Sequence, residues 1–316
     1  MSLLALALTA CSNDFSITNK PDVVIVTDDT GAPAEVPVDT DDTEAPADTG
    51  STGDTQATDP GTDTDTTPVD EDTDPPDEDD CTETSDLVYA ISRDDGTLYL
   101  FDPPTLSFSA LARIDCRTTQ TPASMAVSRD GVAYVRYGDN SVYAVDLDTY
   151  ACTATTYSER ATRFGSFGMG YATDSAETWR DRLYVASATR LAVLDTTTYA
   201  LTDIGSLSSQ SELTGNADGE LWAFLPLENP AELVQLDKDN GSTLTTYRLP
   251  GFPDAGDIDT FAFATWGGSF WVFVRESGMG NHTDVYEVDA SGSMTKVLTD
   301  VGFDVVGAGV STCAPS

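Results

Sequence analysis

An apolar, strand-like run that ends in aspartate recurs five times between residues 98 and 289. The instances are Leu98-Tyr99-Leu100-Phe101-Asp102, Val142-Tyr143-Ala144-Val145-Asp146, Leu191-Ala192-Val193-Leu194-Asp195, Leu233-Val234-Gln235-Leu236-Asp237 and Val285-Tyr286-Glu287-Val288-Asp289. Successive aspartates follow at intervals of 44, 49, 42 and 52 residues. A second strand precedes each run, usually opened by Gly or Asp, as in Gly131 to Val135, Asp181 to Val185, Gly219 to Phe224 and Gly268 to Phe273, with Leu87 to Ile91 as the counterpart in the first unit. Before these come strands rich in small residues: Met125 to Ser128, Gly168 to Ala172, Leu213 to Asn216 and Phe261 to Ala264. Val, Tyr, Phe, Trp and Thr are dense, Asp-Gly and Asn-Gly turns separate the runs, and helical periodicity is absent. A repeat of this length holds about four short strands, and neighbouring units must bury one another's faces.

The first unit has no small-residue strand of its own. Val306-Gly307-Ala308-Gly309-Val310-Ser311, near the C-terminus, supplies one. Placing it in the first unit closes the array into a ring and removes an exposed strand edge. Residues 85–312 thus resemble a β-propeller of the broad YVTN/WD40 type, although the Gly-His and Trp-Asp signatures of WD40 repeats are missing. The resemblance implies an all-β fold, a single propeller of five four-stranded blades closed by the C-terminal strand. Small residues suit the inner strands, where blades crowd the axis. The recurrent aspartates are expected to cap the turn between third and fourth strands by accepting backbone N–H bonds. In this layout Cys81 and Cys313 flank the strands that complete the first blade, and Cys116 and Cys152 stand at the outer strands of adjacent blades. Two disulfides, Cys81–Cys313 and Cys116–Cys152, are therefore expected, as suits an exported chain with an even number of cysteines, four, besides Cys11. No C-x-x-C pair points to zinc.

The first ten residues, MSLLALALTA, form a short apolar run ending in small residues before Cys11. Leu8-Thr9-Ala10-Cys11 resembles the lipobox of bacterial lipoproteins, although no Lys or Arg precedes the apolar run as the positive start of a signal peptide would. The resemblance implies a signal peptide at 1–10, removed before Cys11, whose thiol takes the lipid. Ser12, being other than Asp, implies outer-membrane sorting, facing the periplasm or the surface. Residues 11–80 read as a lipid-anchored linker rich in Asp, Thr and Pro. Within it, residues 28–80 hold 20 Asp or Glu and no Lys or Arg. Such a segment cannot bury enough apolar surface to offset its ordering entropy, and is expected to be a disordered stalk reaching up to about 150 Å when extended. Its acids, such as Asp72, Asp74, Asp77, Glu78, Asp79 and Asp80, lack EF-hand spacing and imply at most weak, diffuse Ca²⁺ binding. No other cofactor and no metal site is expected. The propeller domain is assigned to 81–316.

The formal net charge of −39 excludes a nucleic-acid partner, which needs a basic face, and excludes binding to anionic lipid by charge. No 18-residue apolar run is present, so a lipid anchor is the expected link to the membrane. There is no G-x-S-x-G elbow, P-loop or H-E-x-x-H motif. On a propeller the loops from fourth to first strands and from second to third share one face. Candidate binding residues there are Arg160, Arg163, Phe252, Asp254, Asp257, Asp259, Glu276 and the single histidine, His282. Three readings follow: a monomeric, non-catalytic binding or scaffold module for an envelope or extracellular protein or a small ligand; a lyase or hydrolase using carboxylates and His282; or a structural envelope component. Palmitate labelling is expected to mark Cys11 in a bacterial host, and an intact mass with Cys11 unmodified would contradict the lipoprotein reading.

Overall fold

The computed structural model describes residue 81 and residues 87–175, 180–278, 280 and 282–316. The residues expected to form a lipobox, a signal peptide and a stalk lie outside these. By contacts the chain divides into Met1–Thr66 and Thr67–Ser316, and every described residue belongs to the second unit. No described helix is long and apolar enough to cross a membrane.

Twenty strands form five antiparallel sheets of four. The first three are β1 (Val88–Ser92), β2 (Thr97–Asp102) and β3 (Ser107–Arg113). The second blade is β4 (Pro122–Val127), β5 (Val132–Tyr137), β6 (Val142–Asp146) and β7 (Cys152–Ala154). The third is β8 (Gly168–Thr173), β9 (Asp181–Ala186), β10 (Leu191–Leu194) and β11 (Leu201–Gly205). The fourth is β12 (Glu212–Gly215), β13 (Leu221–Leu225), β14 (Ala231–Leu236) and β15 (Thr243–Leu249). The fifth is β16 (Ile258–Trp266), β17 (Ser269–Glu276), β18 (Asp284–Val288) and β19 (Met294–Leu298). The last strand, β20 (Val305–Gly309), pairs antiparallel with β1, Tyr89 opposite Gly309 and Ile91 opposite Gly307, and so completes the first blade. The fold is a five-bladed β-propeller closed by its C-terminal strand.

The core is divided among the seams between blades. Five buried clusters join blades one and five, one and two, two and three, three and four, and four and five. At the seam that closes the ring, the fully buried Phe101 meets the rings of Trp271 at 5.2 Å and Phe273 at 5.4 Å. The inner strands β4, β8, β12, β16 and β20 touch in sequence around the axis. Their small residues are required by this contact. A Cβ on Gly170 would lie 2.5 Å from the Leu213 carbonyl carbon, and one on Gly307 would lie 2.7 Å from the Met125 nitrogen.

Among the described residues Asp146, Asp195, Asp237 and Asp289 accept backbone N–H bonds as expected, whereas Asp102 accepts from the Thr105 hydroxyl at 2.7 Å. Asp146 Oδ1 accepts from Thr149 N at 2.7 Å, Asp195 Oδ1 from Thr197 N at 2.9 Å, and Asp289 Oδ1 from Ser291 N at 2.8 Å. These bonds need a carboxylate at the end of the third strand, which is why the pattern is visible in the sequence. Beside the strands the described residues include a single turn of α-helix, α1 (Glu159–Thr162), in the loop between β7 and β8. Ser158 and the four polar or small residues after it make a local turn there without an apolar face, so no helical period marks it.

Both disulfides form as expected, Cys81–Cys313 with Cα atoms 6.0 Å apart and Cys116–Cys152 at 5.1 Å. They span 232 and 36 residues of chain. On loop-closure entropy the longer one stabilises by about 5 kcal/mol and the shorter by about 4 kcal/mol. The paired substitution Cys81→Ser/Cys313→Ser is therefore expected to lower the denaturation midpoint more than Cys116→Ser/Cys152→Ser. The reverse order in urea titrations would contradict the ring-closing role.

Candidate functional site

The loops that enter the inner strands and those joining second to third strands meet on one face. Gly138 N donates to Thr121 O at 2.9 Å, Leu207 N to Thr189 O at 3.1 Å, and Ser277 N to Asp257 O at 2.6 Å. At the closing seam this face gathers charge. Arg93, just past β1, donates its backbone N–H to the Asp304 carbonyl at 2.8 Å. Its Nη1 lies 3.0 Å from Asp259 Oδ2, and its Nη2 lies 4.0 Å from Asp304 Oδ2. Arg275 at the end of β17 pairs with Asp259 and, through Nε at 3.2 Å, with Asp304 Oδ1. His282 Nδ1 stands 3.2 Å from the same Asp304 oxygen. Asp94 Oδ2 accepts from the Asp304 backbone N–H at 3.4 Å. Asp304 itself is buried, with its side chain 6% exposed.

Local structure explains these positions. Asp259 falls at a bulge in β16 between Ile258 and Thr260, and a bulge re-aims the side chain it carries. Thr260 then lies opposite Arg275 in the ladder, so both side chains stand on the same face of the fifth blade. Glu276, the next residue along the strand, turns to the opposite face, where its charge raises the Tyr286 pKa alongside the larger effect of burial. The structure thus brings Asp259 and His282 together through Arg275 and Asp304, and turns Glu276 away from them. Arg93, Asp94, Arg275 and Asp304 were not among the residues expected from sequence.

The other expected residues lie elsewhere. Phe252 is buried among Phe224 at 5.3 Å and Tyr286 at 5.1 Å, in the seam of blades four and five. Asp254 and Asp257 bracket a short 3₁₀ turn and are exposed. Arg160 lies in α1, and Arg163 ends it in a left-handed conformation, its carbonyl accepting from Arg190 Nη1 at 3.2 Å. Both belong to the seam of blades two and three.

Beside the charged cluster a cavity of about 530 Å³ opens between the loops of blades one and two. Its walls include Arg93, Asp94, Arg113, Asp115, Gln120 and Tyr137. The cavity and the cluster share Arg93 and Asp94. The Thr97 hydroxyl and N–H hold the Asp95 carboxyl at its rim below the usual carboxylate range. Chemically, the cavity offers both hydrogen-bond donors and acceptors around one aromatic ring, a surface suited to a polar ligand.

A further ionisable group lies within the ring of inner strands. Glu212 opens β12, is fully buried, and accepts from the Ser124 hydroxyl of β4 at 2.8 Å. To reach it the side chain passes Gly168 of β8, where a Cβ would lie 2.9 Å from the Glu212 carboxyl carbon. Burial pushes its pKa up to about 8, against the opposing effects of the Ser124 bond, Arg136 and the Met169 N–H.

No family model matches the chain, and no curated protein matches it. Solved structures do. A protein of unknown function from Bacteroides caccae matches with a TM-score of 0.41 at 10% identity, over 71% of this chain and 97% of that one. A structural genomics protein of unknown function from Bacteroides thetaiotaomicron matches with a TM-score of 0.40 at 17% identity, over 70% of this chain and 58% of that one. A chain of the mitotic checkpoint complex matches with a TM-score of 0.35 at 18% identity, over 70% of this chain and 62% of that one. Likeness of this degree says nothing of function, and the fold rests on the strand pairing described above.

The raised pKa of Glu212 has a definite sign. Between its ordinary value of 4.5 and about 8 the folded chain keeps a proton that the unfolded chain releases. Glu212 therefore supports folding fully below pH 4.5, and that support is lost as pH rises towards 8. Glu212→Gln keeps the Ser124 bond without the charge. It is expected to match the wild type near pH 5 and to exceed it by roughly 3 kcal/mol at pH 8. Parallel stability curves for the two proteins across that range would contradict the assignment.

Proposed function

We propose that this chain is a lipid-anchored envelope protein whose propeller is a non-catalytic binding module for an envelope or extracellular protein or a small polar ligand. The observation that carries the reading is the polar cavity of about 530 Å³ beside the charged cluster at the closing seam. Two arginines and three carboxylates there largely offset one another, in a chain that is otherwise strongly anionic. That local balance suits a ligand that presents both polar donors and acceptors to the cavity wall.

The two disulfides suit an oxidising compartment. Together with the lipobox resemblance and the acidic composition of residues 28–80, they support a domain held away from an outer-membrane anchor. A spacer of that kind has a use when the domain must meet a partner beyond the lipid surface.

The test is capture of a partner from solubilised envelope fractions on the immobilised protein, compared with a variant of the exposed cavity wall. Arg113→Ala/Gln120→Ala should weaken capture or small-ligand affinity roughly tenfold or more while leaving the thermal midpoint unchanged. Equal capture by both proteins would remove the cavity from the reading, and turnover of a captured ligand would replace binding with catalysis.

A further inference from the structure

We propose that Asp94, His282 and Asp304 bind a first-row divalent cation, with Zn²⁺ as the probe, and that the ion ties together the three loops at the closing seam. One imidazole nitrogen and two carboxylate oxygens lie within 4.8 Å of one another. They come from the β1–β2 turn, the β17–β18 loop and the segment that leads into β20. Shared coordination would thus join the first blade, the fifth blade and the strand that closes the ring.

The chemistry of the donors selects the ion. A nitrogen ligand suits Zn²⁺ and its neighbours in the first row, whereas Ca²⁺ and Mg²⁺ take oxygen. The 3.2 Å between His282 Nδ1 and Asp304 Oδ1 fits two ligands of one ion, given metal–ligand bonds of about 2.0–2.2 Å. Arg275 Nε, bonded to that same Asp304 oxygen, fixes the carboxylate in place as a supporting partner does around a metal. Asp94 is exposed, and its carboxylate receives only a long 3.4 Å bond from a backbone N–H among the described residues.

A separate observation comes from β16 of the fifth blade. The Thr260 hydroxyl is buried and has no hydrogen-bond partner among the described residues. Its place opposite Arg275 directs it into the face from which Arg275 reaches Asp304. A buried hydroxyl left in this state is costly unless water or a ligand satisfies it. Arg93 and Arg275 lower the charge that an ion would meet, because both engage Asp304 as well as Asp259.

The experiment is calorimetric titration of the full chain with Zn²⁺, with thermal unfolding measured in parallel. His282→Gln/Asp94→Asn is the comparison, because both residues are at the surface and the variant's metal-free midpoint reports that it is folded. The wild type should bind one Zn²⁺ well above any background from the acidic stalk and unfold at a higher temperature with the ion. The double variant should lose more than roughly tenfold in affinity and lose the midpoint shift. Excess Ca²⁺ should not displace the ion. Equal Zn²⁺ binding by wild type and variant, displacement by Ca²⁺, or no binding by the wild type would each overturn the proposal.

Discussion

The molecule depends on how closely its five inner strands approach one another. In a ring this small the innermost strands touch along their length, and the glycines at 168, 170, 215 and 307 mark places where a Cβ would enter a neighbour's backbone or side chain. That crowding sets where each blade's first strand must be and allows β20 to slot against β1. Closure in turn buries Phe101, Trp271 and Phe273 together and removes the edge that an open array would present. The seams supply the apolar burial, and each blade has a neighbour on both faces only because the ring is closed.

Closure also creates the chemistry. Arg93 and Asp259 are 166 residues apart, and Asp94 and Asp304 are 210 apart. Each pair meets only where the last strand rejoins the first blade. The strand β20 is held near its two ends by different means: the Asp304 cluster precedes it, and Cys313, bonded to Cys81, follows it. The closing seam thus carries the charged cluster, and the cavity of about 530 Å³ adjoins it.

Much of the fold is legible in the sequence because strand ends are chemically marked. An Asp that caps a turn, a Gly that admits a neighbour and an alternating apolar run each leave a local signature, so five blades and the closing strand follow from the repeat. Cys81 and Cys313 are legible as partners for the same reason, once the C-terminal strand is placed in the first blade. The site is less legible. His282 and Asp259 were recognisable from their loops, but Arg93, Asp94, Arg275 and Asp304 look like ordinary surface charges until the ring brings them together. The bulge that turns Asp259 towards Arg275 has no sequence mark, and Phe252 reads as an exposed aromatic although its loop folds it under Phe224 and Tyr286. Glu212 is hidden for a similar reason. Nothing local announces that a carboxyl at the start of an inner strand will cross to a serine 88 residues away.

The central claim is that the C-terminal strand completes the first blade and thereby builds both the ring and its charged seam. Peptide mapping of the unreduced protein tests it most directly. The account predicts one cross-linked peptide pair containing Cys81 and Cys313 and another containing Cys116 and Cys152. A bond from Cys81 to Cys116 or to Cys152 would place the C-terminus outside the first blade and contradict the closure on which the rest depends.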